Sequence, residues 1–133
     1  MADESILVIE DNEKNRKLVR DVLTFRGYRV VEAETAEAGL RLAEECPPDL
    51  VVMDIHLPGM NGIEALGELR AKEATRSIPV LAFTASVMPQ DRHTITGAGF
   101  DGFLSKPIAI KELGDTIAGT LADAIVIFEL AKR

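Results

Sequence analysis

Short, uninterrupted apolar runs alternate along this chain with segments in which apolar residues recur every three or four positions. The runs are ILVI at 6–9, LVVMD at 50–54 and PVLAFT at 79–84, with two weaker ones, RVVEA at 29–33 and GFLS at 102–105. Strands exposed on one face alternate apolar with polar residues, whereas the three strong runs are apolar throughout, the pattern of parallel strands covered on both faces. Between the runs, helical spacing predicts helices ending near Arg26, then over about 36–45, 62–72 and 91–98, with a long helix closing the chain. A strand followed by a helix, five times over, predicts an α/β fold: a doubly wound, five-stranded parallel sheet in the order 2-1-3-4-5 flanked by five helices.

Local chemistry sharpens the boundaries. Leu18, Val22 and Phe25 recur at helical spacing and form the expected core stripe of the first helix, which Gly27 ends by tolerating a positive φ. Thr35 is placed to cap the second helix, whose Ala36, Leu40 and Ala43 share a face. Gly59 and Gly62 serve turn and helix-entry geometry after the third strand. In the last helix the stripe is Ile110, Leu113, Ile117 and Leu121, and residues 1–121 read as one domain. Residues 122–133 continue it as a helical extension in which Ile125, Ile127 and Phe128 are expected to pack on the domain itself, on a second copy or on a partner.

Composition narrows the classes. A chain of 133 residues, 47% apolar and 28% charged, fits one globular core. With five Phe, one Tyr and no Trp, aliphatic residues must fill that core, and few rings remain to stack on bases. The net charge of −7, from 22 acidic and 15 basic residues, repels a phosphate backbone, so no direct nucleic-acid binding is expected. No apolar stretch approaches the roughly 18 residues of a membrane span, and no basic region precedes the first apolar run; a cytoplasmic protein with no membrane partner is expected. Cys46 is the only cysteine and precedes Pro47 and Pro48, so it reads as an inert thiol.

The chemistry gathers at the ends of the strands, where open parallel sheets place their functional groups. The first strand ends in Glu10 and Asp11, the third in Asp54, the fourth in Thr84 and the fifth in Ser105, Lys106 and Pro107. In the order 2-1-3-4-5 the first and third strands are neighbours, so three carboxylates converge beside a hydroxyl and an ammonium. Two like charges ~4 Å apart repel by ~4 kcal/mol at an effective dielectric of ~20, which a divalent cation relieves. Oxygen ligands without a thiol or a paired histidine favour Mg²⁺, with Mn²⁺ as a substitute. His56 and His93 lie in separate segments, and His56 is expected to face solvent. An aspartate in such a site is a nucleophile toward phosphorus, with the cation, Lys106 and Thr84 neutralising the transferring oxygens.

EDN at 10–12, MDIHLPGMNG at 53–62, FTAS at 83–86 and FLSKP at 103–107 together resemble the four motifs of response-regulator receiver domains, over about residues 5–120. The resemblance implies phosphorylation on Asp54, taken from a sensor histidine kinase or a histidine phosphotransfer protein. It implies a metal site of Glu10, Asp11, Asp54 and the backbone carbonyl of His56, with Glu10 acting through a metal-bound water. It also implies that Thr84 and Lys106 engage the phosphoryl oxygens, that Phe103 turns inward as Thr84 moves, and that the Lys106–Pro107 peptide is cis. The altered face would comprise the fourth helix, fifth strand and fifth helix and would meet a downstream protein or a second copy. EDN, the AFTA run at 82–85, Met88 and SKPI at 105–108 most resemble single-domain cell-cycle regulators of the DivK type and receivers fused to hybrid kinases. Glu10 stands where Asp is more frequent, and Phe103 where Tyr is common.

Three other readings remain. A haloacid-dehalogenase-like phosphatase also uses a strand-end Asp with Mg²⁺, but it needs a second Asp where this chain has His56. A flavodoxin-like cofactor binder needs a Ser, Thr and Gly cradle where this chain has EDNEKN. A pseudo-receiver that only binds partners would not need Asp11, Asp54, Thr84 and Lys106 together. Phe83 reads as core.

Overall fold

The computed structural model describes residues 4–85, 89–107 and 109–131; the side chains of 89–92, 96 and 124–131 lie outside the described set. The elements run β1 (Ser5–Ile9), α1 (Glu13–Phe25), β2 (Arg29–Ala33), α2 (Ala36–Glu45), β3 (Leu50–Asp54), α3 (Gly62–Ala71), β4 (Val80–Thr84), α4 (Pro89–Ala98), β5 (Gly102–Ser105) and α5 (Ile110–Ala131). The five strands form one parallel sheet in the order β2-β1-β3-β4-β5. Every residue of β3 and β4 is buried, as the unbroken apolar runs require, whereas β2 at the edge is only partly covered.

Because side chains alternate across a strand, each run divides between two cores. Ile6, Val8, Leu50, Val52, Leu81, Phe83 and Leu104 pack under α1 and α5. Leu7, Ile9, Val51, Met53, Val80 and Ala82 pack under α2, α3 and α4. Gly27 has φ 93°, and the Thr35 side chain accepts from the Ala38 N–H to cap α2. Among the described residues no helix is long and apolar enough to cross a membrane.

Three sequence expectations change. In α1 the buried stripe is Val19, Val22 and Leu23, while Phe25 is 92% exposed and Leu18 lies at the margin. Val19, Val22 and Leu23 satisfy the same three-to-four spacing as Leu18, Val22 and Phe25, and the sheet beneath selects the first set. In α2, Gly39 takes the buried place between Ala36 and Ala43, because a Cβ there would lie 2.3 Å from the Ile9 Cδ1; Leu40 is only partly buried. In α5, Leu113, Ile117 and Leu121 are buried as expected, but Ile110 in the first turn is 59% exposed. α5 runs without a break through position 122, and the expected packing of Ile125, Ile127 and Phe128 lies outside the described residues. Cys46, at the C-terminal cap of α2, is exposed.

Candidate functional site

The site is assembled by the ends of β1, β3, β4 and β5. Glu10 follows β1 directly, and its N–H donates to the Ala33 carbonyl at 3.0 Å, which carries the β1–β2 ladder one residue past the strand. Asp54 is the last residue of β3 and pairs in register with Phe83, so the two side chains share one side of the sheet. Asp54 follows Leu50 and Val52 by steps of two, as Lys106 follows Leu104 and Glu10 follows Ile6 and Val8. All three therefore emerge on the α1/α5 side. Thr84 and Phe103 have the opposite parity: Phe103 packs against the core under α2, α3 and α4, and Thr84 is buried at the end of β4.

The geometry on the α1/α5 side is compact. One oxygen each from Glu10, Asp11 and Asp54 lies within 4.8 Å of the others. Glu10 and Asp54 are buried and Asp11 is exposed, so the cluster opens to solvent through Asp11. Lys106 Nζ donates to Asp54 Oδ2 at 3.0 Å and lies 2.7 Å from Glu10 Oε1. The latter contact is a salt bridge to a carboxylate that is fully enclosed. The His56 N–H donates to Asp54 Oδ1 at 2.9 Å, and the Asn12 N–H to Glu10 Oε2 at 3.1 Å. His56 itself is exposed, as expected.

Lys106 arrives from β5 through a short return: its N–H donates to the Thr84 carbonyl at 2.9 Å, and the Lys106–Pro107 peptide is cis, as the family resemblance implied. Burial works against its charge, but the Glu10 and Asp54 carboxylates outweigh burial and hold the ammonium above its ordinary range. Glu10 moves up as well, first because it is buried and then because Asp54 is beside it, with Lys106 and the Asn12 N–H only partly countering.

Such a cluster suits a hard divalent cation. Its donors are all oxygen, two buried carboxylates share the single Lys106 ammonium, and burial beside Asp54 leaves Glu10 reluctant to ionise even so. Glu10, Asp11, Asp54 and Lys106 are thus brought together at one site. Thr84 reaches the group through its main chain, and Phe103 stands on the other side of the sheet.

Three features escaped the sequence. The Arg16 guanidinium donates to the Glu10 carbonyl at 2.9 Å and to Glu32 and Glu34 at 3.2 Å, pinning the acidic loop to β2. Its place one turn into the first helix was the available signal, yet nothing in the spacing said that it would turn back. Gly62 enters α3 as expected, but its closeness to the site was not foreseen: its N–H donates to the Ile55 carbonyl at 2.9 Å, and a Cβ there would lie 2.6 Å from the Asp54 carbonyl oxygen. Phe83, read as core, is indeed buried, but the Lys106 ammonium also lies 4.7 Å from its ring centroid.

Comparison with known proteins agrees with this geometry. The response regulator receiver domain matches residues 6–118. The polar-differentiation response regulator DivK of Brucella ovis is 40% identical over 120 residues, spanning 90% of this chain and 98% of that one. Among solved structures, the receiver domain of the sensor histidine kinase PA1611 from Pseudomonas aeruginosa PAO1 superposes with a TM-score of 0.84 at 32% identity, covering 90% of this chain and 98% of that one. That structure has a magnesium ion coordinated in its active-site cleft. A CheY-like response regulator receiver domain protein from Methanospirillum hungatei JF-1 gives 0.83 at 26% identity, covering 92% and 96%. Fold, site and relatives agree: the chain belongs to the response regulator receiver domains, the signalling modules of two-component systems.

Proposed function

We propose that this receiver is a phosphorylation switch whose phosphoacceptor is Asp54. The observation that carries this reading is the buried Asp54 carboxylate at the end of β3, held by Lys106 and gathered with Glu10 and Asp11 within 4.8 Å. Glu10, Asp11, Asp54 and the backbone carbonyl of His56 would hold Mg²⁺ or Mn²⁺. When bound, that cation supplies positive charge for the transferring oxygens.

An Asp54 carboxylate oxygen attacks the phosphorus of a phosphohistidine on a sensor histidine kinase or phosphotransfer protein. The new O–P bond forms as the P–N bond breaks, and the imidazole leaves with the bonding pair and takes up a proton from water. Lys106 stays beside the acceptor and neutralises a phosphoryl oxygen, while the Thr84 hydroxyl closes on another. The chain thus promotes its own phosphotransfer and the later hydrolysis of the acyl phosphate, without turning over a separate substrate.

Thr84 and Phe103 share the side of the sheet opposite the acidic cluster. Movement of Thr84 toward the phosphoryl group therefore frees space on the side where Phe103 packs, and this couples the site to the α4–β5–α5 face that meets a downstream protein or a second copy. We take the receiver to end at 121, with residues 122–131 continuing α5 beyond it. A cytoplasmic location follows from the same role.

The test is incubation with acetyl phosphate and Mg²⁺, followed by intact mass. One phosphoryl group should be added, and none after Asp54→Asn or chelation. Absence of added mass on the unaltered chain under every condition would leave only an unphosphorylated interaction module.

A further inference from the structure

Among the described residues the Lys106 ammonium is approached by Glu10 Oε1 at 2.7 Å, Asp54 Oδ2 at 3.0 Å and the ring of Phe83, whose centroid lies 4.7 Å away. Two are anions, and in the proposed function both acquire other duties, Glu10 and Asp54 toward the cation and Asp54 toward phosphorus. The ring has no such competitor. It carries no charge to attract a metal, it offers no atom to phosphorylate, and it is fixed in the core under α1 and α5, opposite Leu104.

Strand register places it there. Phe83 pairs with Asp54 on one side and Leu104 on the other, and Lys106 follows Leu104 by two residues. A ring at position 83 therefore lies beneath any side chain that returns from Lys106 toward Asp54. An aromatic face attracts an ammonium within ~6 Å of its centroid, and more strongly where water is partly excluded. The Lys106 side chain is only 19% exposed.

We infer that Phe83 is a positioning residue for phosphoryl transfer, a neutral seat that keeps the Lys106 ammonium at the phosphoacceptor while Glu10 and Asp54 are engaged elsewhere. An aliphatic residue in its place would fill the core equally well and would leave Lys106 without a partner at that stage. The inference rests on the reading of Lys106 as the group that neutralises the phosphoryl oxygen, and its tests are separable from that reading.

Two variants keep the volume while removing the attraction. One is Phe83→Met; the other replaces Phe83 alone by pentafluorophenylalanine, which has nearly the shape of Phe but a reversed ring quadrupole. The first readout is the Lys106 side-chain resonances: the protons next to the ammonium should carry an upfield ring-current shift, retained at saturating Mg²⁺ and lost in Phe83→Met. The second is the rate of labelling by acetyl phosphate at saturating Mg²⁺. It should fall about fivefold in the fluorinated chain, with thermal stability unchanged and Mg²⁺ affinity within about twofold. Collapse of the Lys106 shift on adding Mg²⁺, or labelling of the fluorinated chain at the unaltered rate, overturns the inference. Failure of the unaltered chain to be labelled sinks the phosphoacceptor reading alone, and the Lys106 shift with Mg²⁺ then decides the seat by itself.

Discussion

Arg16 reaches back from the first turn of α1 to the main chain of Glu10, donating at 2.9 Å to the carbonyl that precedes Asp11. The Glu10 N–H is already tied to Ala33, so both peptide groups flanking the Glu10 side chain are anchored, and Asp11 leaves from a fixed point. Glu32 and Glu34 hold the other guanidinium nitrogens, and the Arg16 side chain is largely buried. The exposed Glu34 contributes little, and the partly buried Glu32 more.

Arg16→Met should therefore loosen the acidic loop and weaken Mg²⁺ binding by about tenfold, the usual scale for a group that orients ligands from behind. Titration calorimetry measures this directly. Arg16→Lys should recover only part, because one ammonium cannot meet the Glu10 carbonyl, Glu32 and Glu34 in the same geometry. Equal affinity in all three chains would show that the loop needs no such anchor.

Glu10 makes metal-free stability depend on pH. Its folded carboxyl holds a proton more tightly than the ordinary 4.5, so its contribution is fully present below that value and lost as pH rises through the folded one. Lys106 is also raised, and its contribution is present below 10.5 and lost only as pH climbs past its folded value. Glu10→Gln should consequently stabilise the metal-free protein at about pH 7 relative to the unaltered chain, with the gain vanishing below about pH 4.5. Urea melts with a chelator, at both ends of that window, decide it. For the unaltered chain, Mg²⁺ at a hundred times its dissociation constant should add ~2.7 kcal/mol, and Glu10→Gln should need more Mg²⁺ for the same effect.

Gly62 is required by close approach. A Cβ would lie 2.6 Å from the Asp54 carbonyl oxygen and 2.8 Å from the Ile55 Cα, both backbone atoms that cannot swing aside. Gly62→Ala should cost about 1–3 kcal/mol in a urea melt and slow acetyl phosphate labelling, because the strain falls on the phosphoacceptor's own peptide. Gly67 has nothing within 4 Å of a built Cβ, so Gly67→Ala should be neutral or stabilising in the same helix.

The two candidate faces of α1 can be separated by truncation. Leu23→Ala should cost about 2–5 kcal/mol, since Leu23 is fully buried. Phe25→Ala should stay within about 0.5 kcal/mol, because the ring is almost entirely in solvent. Thermal melts of the two variants check the assignment.

Much of this protein was legible without coordinates. The strands β1, β3 and β4 follow from apolar runs that only a doubly covered parallel sheet accommodates, and Gly27 and Thr35 mark helix ends by properties of single residues. Glu10, Asp11, Asp54, Thr84 and Lys106 could be gathered from sequence because each ends a strand and the strand order makes those ends neighbours. Periodicity could not choose between Phe25 and Leu23, since both continue a three-to-four spacing and only the placement of the sheet says which way the helix faces. Nor could it find Arg16, whose long side chain turns back on the chain, or the clash that excludes a Cβ at Gly62. The second role of Phe83 was hidden for a related reason: burial is a property of one position, whereas a ring under an ammonium depends on the register of β3, β4 and β5 together, which exists only once the sheet has closed around them.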